Sequence, residues 1–283
     1  MNRLLLMVSL VLLTLPVSTI AGKIADAEET GKAFRLAAGA GDTKAVLQYL
    51  QTKQVEVDAA NLFGKTALMM AVENGHFATI VALLNRGSDV NARTRDGGTA
   101  LTFAAENGHS GVTAMLLEKG AHLHDRNNAG LDSLMLAAQY DLVEVVDQLL
   151  FKGADVKASD KTGRSALMIA AEKGHAGVVR MIAQAGANLE SRDREGATSL
   201  IVAAASDKQD IVEVLLELGA NIDAQDNDGI TALMEAVYNS SSSMTGLLVA
   251  KGANVGIKCN DGESALDIAH KKEAVELVEL LQQ

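Results

Sequence analysis

Residues 160–191 read DKTGRSALMIAAEKGHAGVVRMIAQAGANLES, and a degenerate copy of this stretch recurs down almost the whole chain. Its Gly163 belongs to a series spaced 33 residues apart: Gly64, Gly97, Gly130, Gly163, Gly196, Gly229 and Gly262. Leucine follows each glycine by four residues, from Leu68 to Leu266, and alanine by seven, from Ala71 to Ala269. Three columns without a slip over seven units mark a repeat architecture. Each unit is one supersecondary element that cannot bury its apolar side alone, so neighbours stack into an elongated core.

Inside a unit the order of residues predicts two short helices. A polar bend such as Asp160-Lys161-Thr162 ends in a glycine suited to positive φ. Two residues on stands Thr66, Thr99, Asp132, Ser165, Thr198, Thr231 or Ser264, each able to accept from the free N–H groups of a helix start. The first helix follows, its alanine column allowing close approach of the second. Gly75-His76, Gly108-His109 and Gly174-His175 end it in three units. The second helix carries apolar pairs one turn apart, as in Val112 with Leu116. It stops before Gly87, Gly120, Gly153, Gly186, Gly219 or Gly252, which read as glycines just past a helix end.

From about residue 30 to residue 283 the pattern resembles the ankyrin repeat family. That family's T-P-L-H-x-A-A appears as Thr66-Ala67-Leu68-Met69-Met70-Ala71-Val72 and as Thr231-Ala232-Leu233-Met234-Glu235-Ala236-Val237. Proline is replaced by Ala or Ser in every unit, and the histidine mostly by Met. The resemblance implies an all-α, curved solenoid of about eight helix-turn-helix units with hairpin-like bends and a concave binding face. Units are expected near residues 30–59, 60–92, 93–125, 126–158, 159–191, 192–224, 225–257 and 258–283. The first and last diverge as end caps do. The run Asn239-Ser240-Ser241-Ser242-Ser243 marks the seventh unit as the softest, because serine is a poor helix former.

The N-terminus differs in kind. Arg3 precedes an apolar stretch at residues 4–15, Pro16 breaks it, and Thr19-Ile20-Ala21 fits a small-residue cleavage site. Residues 1–21 therefore read as a signal peptide, residues 22–29 as a polar tether, and the mature protein as periplasmic or secreted. Retention of the apolar stretch as a membrane anchor is the alternative. Net charge is −11, and loss of Arg3 would make it −12, from 24 basic against 36 acidic residues. An acidic chain without a basic, aromatic-interleaved stripe is not expected to bind nucleic acid, nor, once the signal is removed, anionic membranes. Cys259 is the single cysteine, so no intramolecular disulfide is available.

Candidate chemistry is sparse. His76, His109 and His175 share one repeat position, which the family resemblance assigns to a hydrogen bond within the turn. His122 and His124 form H-x-H without further zinc ligands nearby in sequence. Asp226-Asn227-Asp228-Gly229 begins like a calcium loop but lacks the terminal Glu. No nucleophile motif or phosphate loop is present. The expectation is no enzyme, no cofactor and no metal. What remains is surface: by family position, the bend flanks and the end of helix one. Those places hold Phe63, Asp96, Leu131 and Arg164 in one row, and Glu73, Glu106, Tyr140, Glu172, Lys173 and Tyr238 in the other. Glu73, Glu106 and Glu172 form an acidic column suited to a partner with a basic surface. Leu131 and Tyr140 are central anchors of the kind that carry interface energy. The expected role is a monomeric module binding one folded protein, as inhibitor, immunity factor or scaffold, with a membrane-tethered adaptor facing the cytoplasm as the alternative.

Overall fold

The computed structural model describes residues 17–282, with side-chain surroundings from residue 26 onward. Sixteen helices lie among these residues, in eight pairs. The first unit holds α1 (Val17–Gly39) and α2 (Thr43–Gln51). The next three hold α3 (Ala67–Glu73) with α4 (Phe77–Asn85), α5 (Ala100–Glu106) with α6 (Ser110–Glu118), and α7 (Ser133–Gln139) with α8 (Val143–Phe151). Then come α9 (Ala166–Lys173) with α10 (Ala176–Gln184), α11 (Ser199–Ala205) with α12 (Gln209–Glu217), α13 (Ala232–Tyr238) with α14 (Ser242–Ala250), and α15 (Ala265–Lys271) with α16 (Val275–Leu281). First helices pack on first helices along the whole stack, and each second helix packs against its own first.

Local chemistry explains the elements. Thr66, Thr99, Asp132, Ser165, Thr198, Thr231 and Ser264 all N-cap the first helix of their unit, each accepting from the N–H three residues on. The alanine column is fully buried from Ala71 to Ala269, as close helix approach requires. The leucine column is buried from Leu68 to Leu233, whereas Leu266, in the last described unit, is only half-buried. At the other end Phe34 takes the leucine place and meets Tyr49 edge-on, ring centroids 6.2 Å apart.

Two local expectations change and a third lies beyond the structure. The segment at residues 22–29, read as a tether, belongs to α1, which runs unbroken from Val17. The hydrophobic part of the expected signal, residues 1–16, lies outside the described residues. The serine-rich start of the seventh unit forms a regular nine-residue helix. Ser241 is its N-cap, accepting from Met244 N–H and donating to Asp207 Oδ1 at 2.7 Å. Serine disfavoured inside a helix is favoured at its start, which is the distinction a composition argument misses.

The histidine column also differs from expectation. Nε2 of His76, His109 and His175 donates to the carbonyl of Gly39, Glu73 and Gln139, at 2.9, 3.0 and 3.1 Å. Each bond joins a unit to the one before it rather than closing its own turn. The turn residue of the earlier unit makes room: a Cβ at Gly75 would stand 2.8 Å from the His109 ring. Where glycine is missing, Asp141, Asp207, Ser240 and Glu273 adopt the same left-handed conformation, at φ of 53–56°.

Candidate protein-binding face

The row of bends is built from side chains that fold back on their own backbone. Asp160 Oδ1 accepts from the N–H of Thr162 and Arg164 at 2.8 and 2.9 Å, and Asn61, Asn127 and Asp226 repeat the arrangement. Burial pushes the Asp160 carboxyl up, but the bonds from the Thr162 hydroxyl and from these two N–H groups outweigh it and hold the carboxyl below its usual value. Asp226, the start of the calcium-like motif, is thus occupied in closing its own turn. Successive bends are laced by one backbone bond each, from Arg95 N–H to Phe63 O at 2.8 Å through to Asn260 N–H to Asp228 O at 2.9 Å. Gly163 is required twice here: φ is 86°, and a Cβ would meet the Arg194 nitrogen at 2.9 Å.

This lacing fixes Phe63, Asp96, Leu131 and Arg164 in a row beside the ends of the first helices. Phe63 is 69% exposed and Leu131 half-buried against the core. The acidic column is largely neutralised. Lys65 reaches Glu73 at 2.5 Å, and Arg164 pairs with Glu172, each cation standing eight residues before its acid. In the same register Glu106 faces Gly98, which has no side chain, and Glu106 is exposed. Of the three carboxylates only Glu106 lacks a cation of this kind among the described residues. Asp96 and Lys173 are exposed, and Lys173 approaches Glu172 at 3.9 Å.

Gly98 also opens a groove of about 370 Å³ between the second, third and fourth units. Phe63, Asp96 and Glu106 meet there, with Phe103 and Leu136 as apolar lining. Lys65 Nζ sits 4.7 Å from the Phe103 ring centre. Phe103 was not among the residues singled out from the sequence. Its signal was the Gly97-Gly98 doublet: a Cβ at residue 98 would rest 3.5 Å from that ring. Phe63 and Asn61 also line a second, larger groove toward α1, so the two grooves adjoin at these residues as a two-part trough.

Tyr140 and Tyr238 are not brought together. Tyr140 caps α7 in the fourth unit and is 48% exposed, while Tyr238 ends α13 three units on. Burial, then the nearby Cys259 thiol and the carboxylates of Glu263, Asp261 and Glu235, raises the Tyr238 hydroxyl above its ordinary value. Glu235 replaces an apolar residue of its column, and burial followed by the charge of Asp226 raises its carboxyl. His122 Nδ1 lies 3.6 Å from Asp125, and no group of three His, Cys, Asp or Glu side chains converges among the described residues. No helix among them is long and apolar enough to cross a membrane.

A family model for ankyrin repeats, in three copies, matches residues 34–127, 134–226 and 218–283. The chain belongs to the ankyrin repeat family. Among solved structures it is similar to the human ASB11 ankyrin repeat domain, with a TM-score of 0.69 and 29% identity over 77% of this chain and 98% of that one. No curated protein matches it by sequence. Ankyrin repeats are protein–protein interaction modules, and the ankyrin fold is typically a non-enzymatic scaffold. The trough lies on the bends and first helices of this ankyrin stack.

Proposed function

We propose that this chain is an exported, non-enzymatic binding protein that holds one folded protein against the trough of its bends and first helices, as inhibitor, immunity factor or scaffold. The observation that carries the reading is Phe63. It is a large aromatic side chain mostly in solvent, on a bend that is laced to its neighbour and therefore rigid. Apolar anchors presented without ordering cost are what interfaces use. Tyr140 and Glu106 extend the face toward the middle of the stack, where Glu106 favours a basic patch on the partner and speeds encounter at low salt.

Affinity capture from the native source with protein beginning at Gly22, followed by binding kinetics, tests this. Phe63→Ala and Tyr140→Ala should each weaken the captured partner by on the order of 2 kcal/mol while leaving the melting temperature nearly unchanged. Unchanged affinity in both variants would overturn the assignment of the face. Export rests on the Arg3, residues 4–15 and Ala21 layout, and the mature N-terminus should fall at or near Gly22. The helical continuity of α1 across Ala21 and Gly22 favours a second reading, in which the segment is retained as a membrane tether. N-terminal sequencing that finds Met1 or Asn2 selects that second reading.

A further inference from the structure

Helix α1 carries a charge where the repeat has apolar side chains. Arg35 stands in the column of Met69, Met135, Met168, Ile201 and Met234, all buried. The two polar members of that column, Thr102 and Asp267, are occupied in capping their own helices. Arg35 is itself only 8% exposed. A guanidinium has five N–H donors, yet the side-chain bond it makes among the described residues runs from Nη1 to the Ala59 carbonyl, at 3.2 Å. It pairs with no carboxylate among those residues, and residues 1–25 contain no Asp or Glu. A buried charge with one bond is destabilising unless something completes it. Gly31, one turn earlier, keeps the seat open: a Cβ there would stand 3.1 Å from Arg35 Nη1.

The seat belongs to the larger part of the trough, a groove of about 890 Å³. Its apolar lining is Leu36, Leu62, Phe63 and Met70, the first three more than half exposed. The other charged groups lining it are Glu28, Glu29, Lys32 and Arg95. Glu29 is turned to Lys32 at 3.8 Å, which leaves two arginines against Glu28. Apolar walls around an incompletely bonded guanidinium are complementary to one chemistry, a carboxylate flanked by apolar side chains. We infer that this groove receives a peptide segment of the partner in which an Asp or Glu lies between apolar residues, the carboxylate taken by the fork of Arg35. The inference rests on the protein-binding reading and names the chemistry of the segment bound at this end. It differs from the basic patch that Glu106 favours two units along.

The test is selection of a displayed random twelve-residue peptide library on the intact chain. The selected peptides, labelled with fluorescein, are then titrated by anisotropy. Expected is enrichment of Asp or Glu within two residues of Leu, Phe or Met. Glu→Gln in the peptide, Arg35→Met and Leu62→Ser in the protein should each weaken binding about tenfold or more, the scale of a charge-assisted bond. Arg35→Met restores the residue of its column, so its melting temperature should be unchanged or higher. Arg35→Lys keeps the charge without the fork and should recover only part of the affinity. Should Arg35→Met fail to fold, Leu62→Ser and the peptide Glu→Gln change decide by the same tenfold criterion. Enrichment of Arg or Lys, equal binding to Arg35→Met, or no enriched peptide at all would overturn the assignment. None of these would disturb the protein-binding reading, which falls only if the captured partner ignores Phe63→Ala and Tyr140→Ala.

Discussion

At Ser241 one hydroxyl serves two units, capping α14 and donating to Asp207 of the unit before. Helix propensity alone favours alanine there, but the cap reverses the sign. Ser241→Ala should cost about 1 kcal/mol in urea unfolding, and a neutral or stabilising result would show the cap to be idle. Asp132 is the opposite case, the single aspartate among seven first-helix caps. Burial raises its carboxyl above the ordinary value, with the bond from Met135 N–H opposing. A raised carboxyl makes its most favourable contribution when protonated, and that contribution is lost as pH rises through the folded-state pKa. Asp132→Thr keeps a cap without a buried charge. The variant should therefore be more stable than wild type at pH 7, and the gap should shrink as pH falls through the carboxylate range. A pH-independent gap in melting temperature would refute the buried-charge account. Asp160, held low, behaves in the reverse sense, its contribution disappearing only in acid.

Among the elements, turn glycines do two separable jobs. Gly75 and Gly87 both have positive φ, 68 and 83°. Beside Gly87 a Cβ would meet nothing within 4 Å, whereas beside Gly75 it would strike the His109 ring. Backbone strain is common to both, roughly 1–2 kcal/mol for an L-residue. The contact is not. Gly87→Ala should show the backbone cost alone, and Gly75→Ala clearly more, because the ring must leave the Glu73 carbonyl. In a His109→Ala background the excess should vanish. Equal costs for the two glycines in the wild-type background would mean that the ring yields freely.

Over the whole molecule a second place to test for weakness, besides the serine-rich seventh unit, is the interface between the third and fourth units. Buried apolar residues form two clusters, one running from Phe34 to Leu116 and the other from Ala105 through the rest of the stack, with Leu117 packed against both. Thr113 and Ser133 bury hydroxyls without a partner at this seam, as Ser199 and Thr245 do at the same repeat positions of the sixth and seventh units. Leu142 stands where His76, His109 and His175 stand elsewhere, so the Glu106 carbonyl receives no ring N–H. Nearest-neighbour coupling governs solenoid stability, so a poor interface divides the cooperative unit. Hydrogen exchange should show α1–α6 and α7–α16 as two blocks. Leu142→His with Thr113→Val, which copies Val146 of the next unit, should raise stability by about 1 kcal/mol per change and merge the blocks. A single block in wild type would remove the seam.

The chain's 33-residue columns alone establish the helices, their caps, the buried Leu and Ala faces and the family, because these depend on contacts within a turn or two of the backbone. They also place Phe63, Asp96 and Glu106 on one side of the molecule. Bonds spanning 32–37 residues were decided by tertiary structure. His109 reaches back to Glu73, Ser241 holds Asp207, and Asn128 N–H meets Asp96 O. The repeat period says that two residues share a column but not how far one unit is displaced on the next, and side-chain reach depends on that displacement. For the same reason the acidic column looked continuous in sequence, while in the fold Lys65 and Arg164 neutralise two of its members and Gly98 leaves the third open. Arg35 was legible only as a divergent first-unit residue. Its place in a groove shared with Leu62 and Met70 of the second unit and Arg95 of the third appears only when those units are stacked.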